Sequence, residues 1–176
     1  MTNSSTQHEN PLVTTLKQDL GSNVIDITSP REKRIFLTST KETYRHIIKY
    51  LQEQQECHHL ILINGVDLRN SFEVVYHFWS NKRHLFTLKV TIPRDNPKIN
   101  TITDITPAAI LYEREVHDLF GIDFVGHPDL RRLVLADDWP EGNYPLRKDW
   151  KLEKKPPYCL LIAARIKAAK EGKKIV

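Results

Sequence analysis

Apolar residues recur along the chain with two different periods, and the alternation between them outlines a fold. Leu12, Val13, Leu16 and Leu20 keep helical spacing before Gly21, which can end a helix in a left-handed turn. Val24–Ile27 and Arg34–Leu37 read as short strands, with Ser29-Pro30 turning between them. Thr40 opens a second helical stretch whose stripe is Tyr44, Ile47, Ile48 and Leu51, ending near Gln55. From His59 to Val66 the run is nearly all apolar, as expected of a central strand. Residues 71–80 alternate, with Phe72, Val74, Tyr76 and Phe78 on one side and Val75, His77 and Trp79 on the other. Ser80–Arg83 supplies a hairpin turn, and Leu85–Ile92 alternates again before Pro93. Arg94–Asn100 is a polar loop. The order of elements gives an α+β fold: a mostly antiparallel sheet with helices on one face.

A third helix is expected from Thr106 to Phe120, with Thr106 as N-cap, Pro107 in the first turn and Gly121 as its stop. At 100° per residue, Leu111, Ala108, Leu119, Tyr112, Val116, Ala109 and Phe120 form its apolar face. Glu115 lands inside that face, whereas Glu113, Arg114, His117 and Asp118 lie opposite, with Ile110 stranded among them. A buried carboxylate is costly unless paired, so Glu115 is expected to anchor an internal ion pair with Arg131 or Arg132, or with Arg147.

The periodicity stops at Ile122. Residues 123–157 carry Gly126, Pro128, Pro140, Gly142 and Pro145, yet also Phe124, Leu130, Leu133, Val134, Leu135, Trp139 and Tyr144. So long an irregular segment is functional or disordered, and this one is too rich in large apolar groups for disorder. It is expected to be ordered and to dock on a protein partner through Ile110, Arg114, His127, Arg132, Trp139, Tyr144, Arg147 and Trp150, because Trp, Tyr and Arg dominate interface energetics. The expected organisation is a disordered N-terminus over 1–10, an α+β domain over 11–122, the extended docking loop over 123–157, and a basic C-terminal helix and tail over 158–176.

From the third helix into this segment, EREVHDLFGIDFVGHPDLRR followed by YPLRKDW resembles the signature of the thirty-kilodalton (C-type) subunit of respiratory complex I. That family extends to membrane-bound, energy-converting nickel–iron hydrogenases and formate hydrogenlyases. The resemblance runs back through LILINGVDLRNSFEVVYHFWS, covering roughly residues 60–150. Leu111 stands where complex I members usually have Trp. The run Trp139-Pro140-Glu141-Gly142-Asn143-Tyr144-Pro145 replaces their usual Trp-Glu-Gly-His-Pro. The longer run is more similar to the hydrogenase branch. The resemblance implies a cofactor-free scaffold subunit of a hydrophilic arm, peripheral at the cytoplasmic face of the cell membrane. It would pack on the large catalytic subunit, near the iron–sulfur small subunit. Iron–sulfur clusters and the nickel–iron or quinone site would belong to those partners, and the membrane arm to others. The alternative is the same role in an NADH:quinone oxidoreductase.

Composition narrows the rivals. The 176 residues are 40% hydrophobic and 27% charged, an ordinary globular balance. No run reaches the ~18–20 apolar residues of a membrane span. The opening MTNSSTQHENP has neither the basic cluster nor the apolar core of a signal peptide. Cys57 and Cys159 are isolated, so a cluster or zinc site built from this chain alone is not expected. Of the net charge of +4, residues 147–176 hold +7, ten Lys/Arg against three Asp/Glu, leaving −3 elsewhere. Such a tail is compatible with an independent nucleic-acid-binding module. No Gly-rich phosphate cradle or aromatic-interleaved RNA-binding pattern supports it, and no nucleic-acid partner is expected. Glu113, Glu115, His117, Asp118, His127 and Asp129 offer acid–base or metal-ligating groups, but at spacings that form no recognisable constellation.

Overall fold

The structure is a computed structural model describing residues 10–137 and 139–151. The expected disordered N-terminus, apart from Asn10, lies outside the described residues, as do the end of the long loop and the basic C-terminal helix and tail. Helix α1 (Pro11–Leu20) is capped by the Asn10 carboxamide, which accepts the Leu12 N–H, and ends at Gly21 with φ 50°. Strands β1 (Asp26–Arg31) and β2 (Arg34–Ser39) pair antiparallel. The turn is not at Ser29-Pro30 as expected. The strand runs through Pro30, because β1 is an edge strand whose outer side needs no N–H donor.

Helix α2 (Tyr44–Gln55) then carries the chain across the sheet to its far edge. There β3 (His59–Asp67), β4 (Ser71–Trp79) and β5 (Leu85–Pro93) return as an antiparallel meander. It brings β5 beside β2, where the two run parallel. The order is β1-β2-β5-β4-β3, mostly antiparallel, with three α-helices among the described residues. The α+β expectation holds.

Alternation decides which face is covered. Phe72, Val74, Tyr76 and Phe78 of β4 and Phe86, Leu88, Val90 and Ile92 of β5 are buried together with Ile35 and Leu37 of β2. Leu16 and Leu20 of α1 and Tyr44, Ile47, Ile48 and Leu51 of α2 complete this core. At about 25 cal/mol per Å² of apolar area, burial of these side chains is what chiefly holds the layers together.

Helix α3 (Ala109–Phe120) packs against β3. It begins three residues after Thr106, because the Thr106 hydroxyl is engaged by Gln52 at 2.8 Å and no side chain caps Ala108. Gly121 ends it at φ 68°, as the sequence predicts. Two short strands escaped the hydrophobic pattern. Strand β6 (Lys98–Asn100), in the supposed polar loop, pairs parallel with β7 (Asp123–Val125), immediately after α3. Each is three residues long and buries one side chain, too little for a period to register.

Candidate functional site

Helix α3 is buried on two sides, and this overturns the helical-wheel placement. Ala109, Glu113, Val116 and Phe120 are buried at i, i+4, i+7 and i+11, while Leu111 is 56% exposed. Gly65 on β3 helps fix the docking: a Cβ there would sit 2.6 Å from the Phe120 ring. The buried acid of the helix core is therefore Glu113, with 0% of its side chain exposed, and not Glu115. Glu115 is half-buried and forms no ion pair among the described residues. The expected Glu115–Arg131/Arg132 pair is absent: Arg131 pairs with Asp129 at 2.9 Å, and Arg132 donates to the Ala136 carbonyl at 2.8 Å. The wheel misled because the helix touches protein on two flanks, so one mean direction of hydrophobicity describes neither.

The second flank is covered by residues 126–150, a strap whose described residues form no helix or strand. Polar groups along its length fasten it. Arg114, 9% exposed, donates to the carbonyls of Arg131 at 2.9 Å and Arg132 at 2.7 Å. One turn on, an Asp118 oxygen accepts the backbone N–H groups of Leu133, Val134 and Leu135 at 2.8, 2.8 and 3.2 Å. These two side chains satisfy consecutive strap carbonyls and amides that would otherwise need water or a ladder.

His127 inserts between strap and helix. Its Nε2 bonds the Ile110 carbonyl at 3.1 Å, its Nδ1 accepts the Asp129 N–H at 3.0 Å, and its side chain is wholly buried, 4.0 Å from Glu113. Glu113 accepts the Ile102 N–H at 2.8 Å and bonds the Thr101 hydroxyl. Burial pushes the Glu113 carboxyl up to about 7, against the pull of those two donors.

Arg147 fastens the far end. It donates to the Phe120 carbonyl at 2.7 Å, at the C-terminus of α3, and its guanidinium lies 4.2 Å from the Tyr144 ring centre and 5.0 Å from that of Phe72. Burial lowers its pKa. A Cβ at Gly121 would collide with Tyr144 and lie 2.7 Å from Arg147, so glycine is needed there for space as well as for its φ. Next to it, Asp67 at the end of β3 bonds Arg94 at 2.6 Å and the Lys148 N–H at 2.8 Å, and Arg94 reaches Asp149 at 2.8 Å. Burial opposes the charge on Asp67, but the Lys148 and Arg69 N–H groups and Arg94 outweigh it and hold the carboxyl below its usual value. Trp139 is buried, donates from Nε1 to the Asn143 carbonyl at 2.7 Å and stacks on Trp150 at 6.3 Å.

Of the residues expected to dock, Arg114, His127, Arg132, Trp139 and Arg147 thus make intramolecular bonds that shape the strap, Tyr144 supports Arg147, Trp150 stacks on Trp139, and Ile110 is half-buried. Among charged neighbours such as Arg131, Glu141 and Lys148, the strap exposes large apolar side chains: Leu133, Val134 at 53% exposed, and Leu146, with Leu111 exposed on α3. The sequence reading placed docking mainly on the aromatic and basic groups, because which of the segment's leucines and valines face outward is decided only once the backbone is placed. Among the described residues no three His, Cys, Asp or Glu side chains converge on a metal-sized site. No helix among them is long and apolar enough to cross a membrane.

Comparison with known proteins gives this arrangement its context. The profile of the family described as respiratory-chain NADH dehydrogenase, 30 Kd subunit, matches residues 37–156, from β2 through the strap. The chain is 32% identical over 143 residues to the C-type subunit of the NADH-quinone oxidoreductase of Chloroherpeton thalassium, covering 78% of this chain but only 59% of that protein. It is 35% identical over 123 residues to the membrane-bound hydrogenase subunit beta of Pyrococcus furiosus, covering 68% of this chain and 71% of the relative. A chain of the membrane-bound sulfane sulfur reductase, an archaeal respiratory membrane complex, superposes with a TM-score of 0.74 at 26% identity, over 88% of this chain and 90% of its own length. The chain therefore belongs to the 30 Kd subunit family of the respiratory-chain NADH dehydrogenase, whose homologues include subunits of membrane-bound hydrogenases.

Proposed function

We propose that this chain is a cofactor-free scaffold subunit that docks the large catalytic subunit of a complex-I-like, membrane-bound oxidoreductase through the strap and the exposed edge of α3. The observation that carries this reading is the division of labour along the strap. Arg114 and Asp118 of α3 bond its backbone over 131–135, and its own His127 and Arg147 bond α3 carbonyls, while Leu133, Val134 and Leu146 project outward. A backbone held so firmly loses little further entropy when a partner covers it, so outward apolar area converts more fully into affinity. Contiguous exposed apolar residues on an ordered segment mark interaction surfaces. The likeness to subunits of multi-subunit respiratory complexes supports the same reading.

In this proposal the iron–sulfur clusters, and the nickel–iron or quinone site, lie in the neighbours: the large subunit and the cluster-bearing small subunit. Electrons pass through them, at the cytoplasmic face of the membrane, and this chain carries neither electrons nor substrate. The hydrogenase form is the reading adopted, on the longer Trp139–Pro145 run. The relatives named as NADH-quinone oxidoreductase subunits support the quinone form equally, and nickel in the co-purified large subunit decides between the two.

The test is co-purification of the large subunit with a tagged chain carrying Leu133→Asp and Val134→Asp together. The exposed pair can be charged without touching the core, so the variant should melt like wild type and fail to retain the large subunit. Full retention by a folded variant would place the docking surface elsewhere.

A further inference from the structure

The strand register assembles one row of side chains from all five strands of the large sheet. His59 of β3 lies beside Trp79 of β4, Trp79 beside Leu85 of β5, Leu85 beside Arg34 of β2, and Arg34 beside Arg31 of β1. Cross-strand partners share a face. Phe78, Phe86 and Ile35, one position along their strands, are wholly buried in the core, so the row is on the opposite face. Helices α1, α2 and α3 bury their apolar residues against the core face, and the strap lies on α3. The row is open: Trp79 is 42% exposed, and His59, Arg34 and Arg31 are exposed. At ~4.8 Å per strand it runs about 19 Å across the strand ends.

Cations converge on it from two turns far apart in sequence. The Leu85 N–H donates to the Lys33 carbonyl at 2.8 Å, so the parallel pairing of β2 with β5 brings the β1–β2 turn against the β4–β5 turn. Lys33, Lys82 and Arg83 are exposed there, together with Arg31 and Arg34. None of the five forms an ion pair among the described residues, although Glu32 is in the first turn. His84 registers both turns: burial first, then Lys33, and also Lys82, hold its pKa below the usual value against the pull of Glu32. Arg83 sits at φ 63°, where glycine or asparagine is less strained. Grouping like charges costs the folded state self-repulsion, and a solvated surface is served by mixed signs. Residues 1–146 as a whole carry −3, so solubility does not account for a cationic end.

The shape and chemistry of the row select its occupant. Its centre is apolar, Trp79 and Leu85, and its cations lie at one end and along the margin. About six residues of extended polypeptide span ~19 Å and present side chains to one side every ~6.6 Å. Single-stranded nucleic acid is held by successive stacking faces, whereas here Trp79 is followed by Leu85 and two arginines. An anionic bilayer responds to the number of cations and has no use for a sheet-wide row.

We propose that this row is a docking site for an extended acidic segment of a partner polypeptide, with one apolar residue set on Trp79 and Leu85 and flanking carboxylates on Arg31, Arg34, Lys82 and Arg83. The row is on the opposite face of the sheet from the strap, and it stands whether or not the strap docks a partner.

The experiment is titration of the isotope-labelled full chain with a blocked hexapeptide, five glutamates and one central phenylalanine, read by amide and indole chemical shifts. Residues 31–34, 59 and 79–85 and the Trp79 indole should shift together and saturably, and binding should weaken as salt is raised. Arg34→Glu with Arg83→Glu should weaken it at least tenfold while melting like wild type; should that pair melt early, Lys82→Gln with Arg83→Gln, confined to the turn, repeats the test. Trp79→Ser, which changes no charge, should weaken the phenylalanine peptide several-fold and leave a hexaglutamate unchanged. Shifts confined to residues 152–176, wild-type affinity in a folded charge variant, or equal loss of both peptides in Trp79→Ser would each overturn the site. Larger shifts at the same residues with oligothymidylate, or with vesicles one-third phosphatidylglycerol, would overturn the polypeptide assignment.

Discussion

Removing the Arg147 guanidinium should destabilise the isolated chain, because its structural role is internal. The side chain makes a charge-assisted hydrogen bond to the Phe120 carbonyl at 2.7 Å, a class of bond that contributes about 1.5–3 kcal/mol. It places a cation at the C-terminus of α3, an effect of about 0.3–1 kcal/mol. Contact with the Tyr144 ring at 4.2 Å adds roughly 0.5–1 kcal/mol. Against these stands the desolvation that lowers its pKa, so the net loss in Arg147→Ala is set at about 2–4 kcal/mol, near the middle of the gross sum. For a chain of this size that shifts the melting midpoint by about 6–12 °C. Urea melts of wild type, Arg147→Ala and Arg147→Lys measure it. Lysine keeps the charge but lacks the planar fork, and should fall between the other two. A double-mutant cycle with Tyr144→Leu should return a coupling of about 0.5–1 kcal/mol. If Arg147→Ala melts within about 0.5 kcal/mol of wild type, the internal staple is refuted and the guanidinium is free for an external partner.

Three further outcomes are expected. Gly65→Ala forces a Cβ to within 2.6 Å of the Phe120 ring and should cost about 1–3 kcal/mol, with partial recovery in the double variant Gly65→Ala/Phe120→Leu, read by denaturant unfolding. Asp118→Ala orphans the Leu133, Val134 and Leu135 N–H groups, so limited proteolysis should cut the strap near residue 133 at least several-fold faster, and Asp118→Asn, which keeps an acceptor, should be cut at an intermediate rate. For Glu113 the carboxyl binds its proton more tightly folded, at about 7, than unfolded, at 4.5, so its contribution is full below about 4.5 and is lost as pH rises to about 7. Glu113→Gln should therefore be more stable than wild type above pH 7, by up to about 3 kcal/mol, and the difference should vanish by pH 4; a constant difference across that range would contradict the assignment.

The sheet was legible in the sequence because its signal is redundant. Each of β3, β4 and β5 spans nine residues, long enough for an alternating or continuous apolar run to show, and the hairpin turn between β4 and β5 fixes their pairing. The family was legible because EREVHDLFGIDFVGHPDLRR is a dense run of distinctive residue types, and the structure gives several of them a role: Glu113 reaches the turn before α3, Arg114 and Asp118 reach the strap, and His127 reaches back from the strap to α3. What the sequence could not supply is direction. Glu113 and Glu115 differ by two positions, and the choice between them turned on where α3 begins and on the Gly65 gap that admits Phe120. The parallel pairings of β2 with β5 and β6 with β7 join segments far apart in the chain, which local periodicity does not encode. Likewise Arg114, Trp139 and Arg147 carry the residue types of an interface, but tertiary packing spends them on backbone carbonyls and leaves Leu133, Val134 and Leu146 outside. Residue type determines what a side chain can bond; only the folded backbone determines which partner is within reach, since polar groups taken out of water must take the nearest acceptor or donor the chain provides.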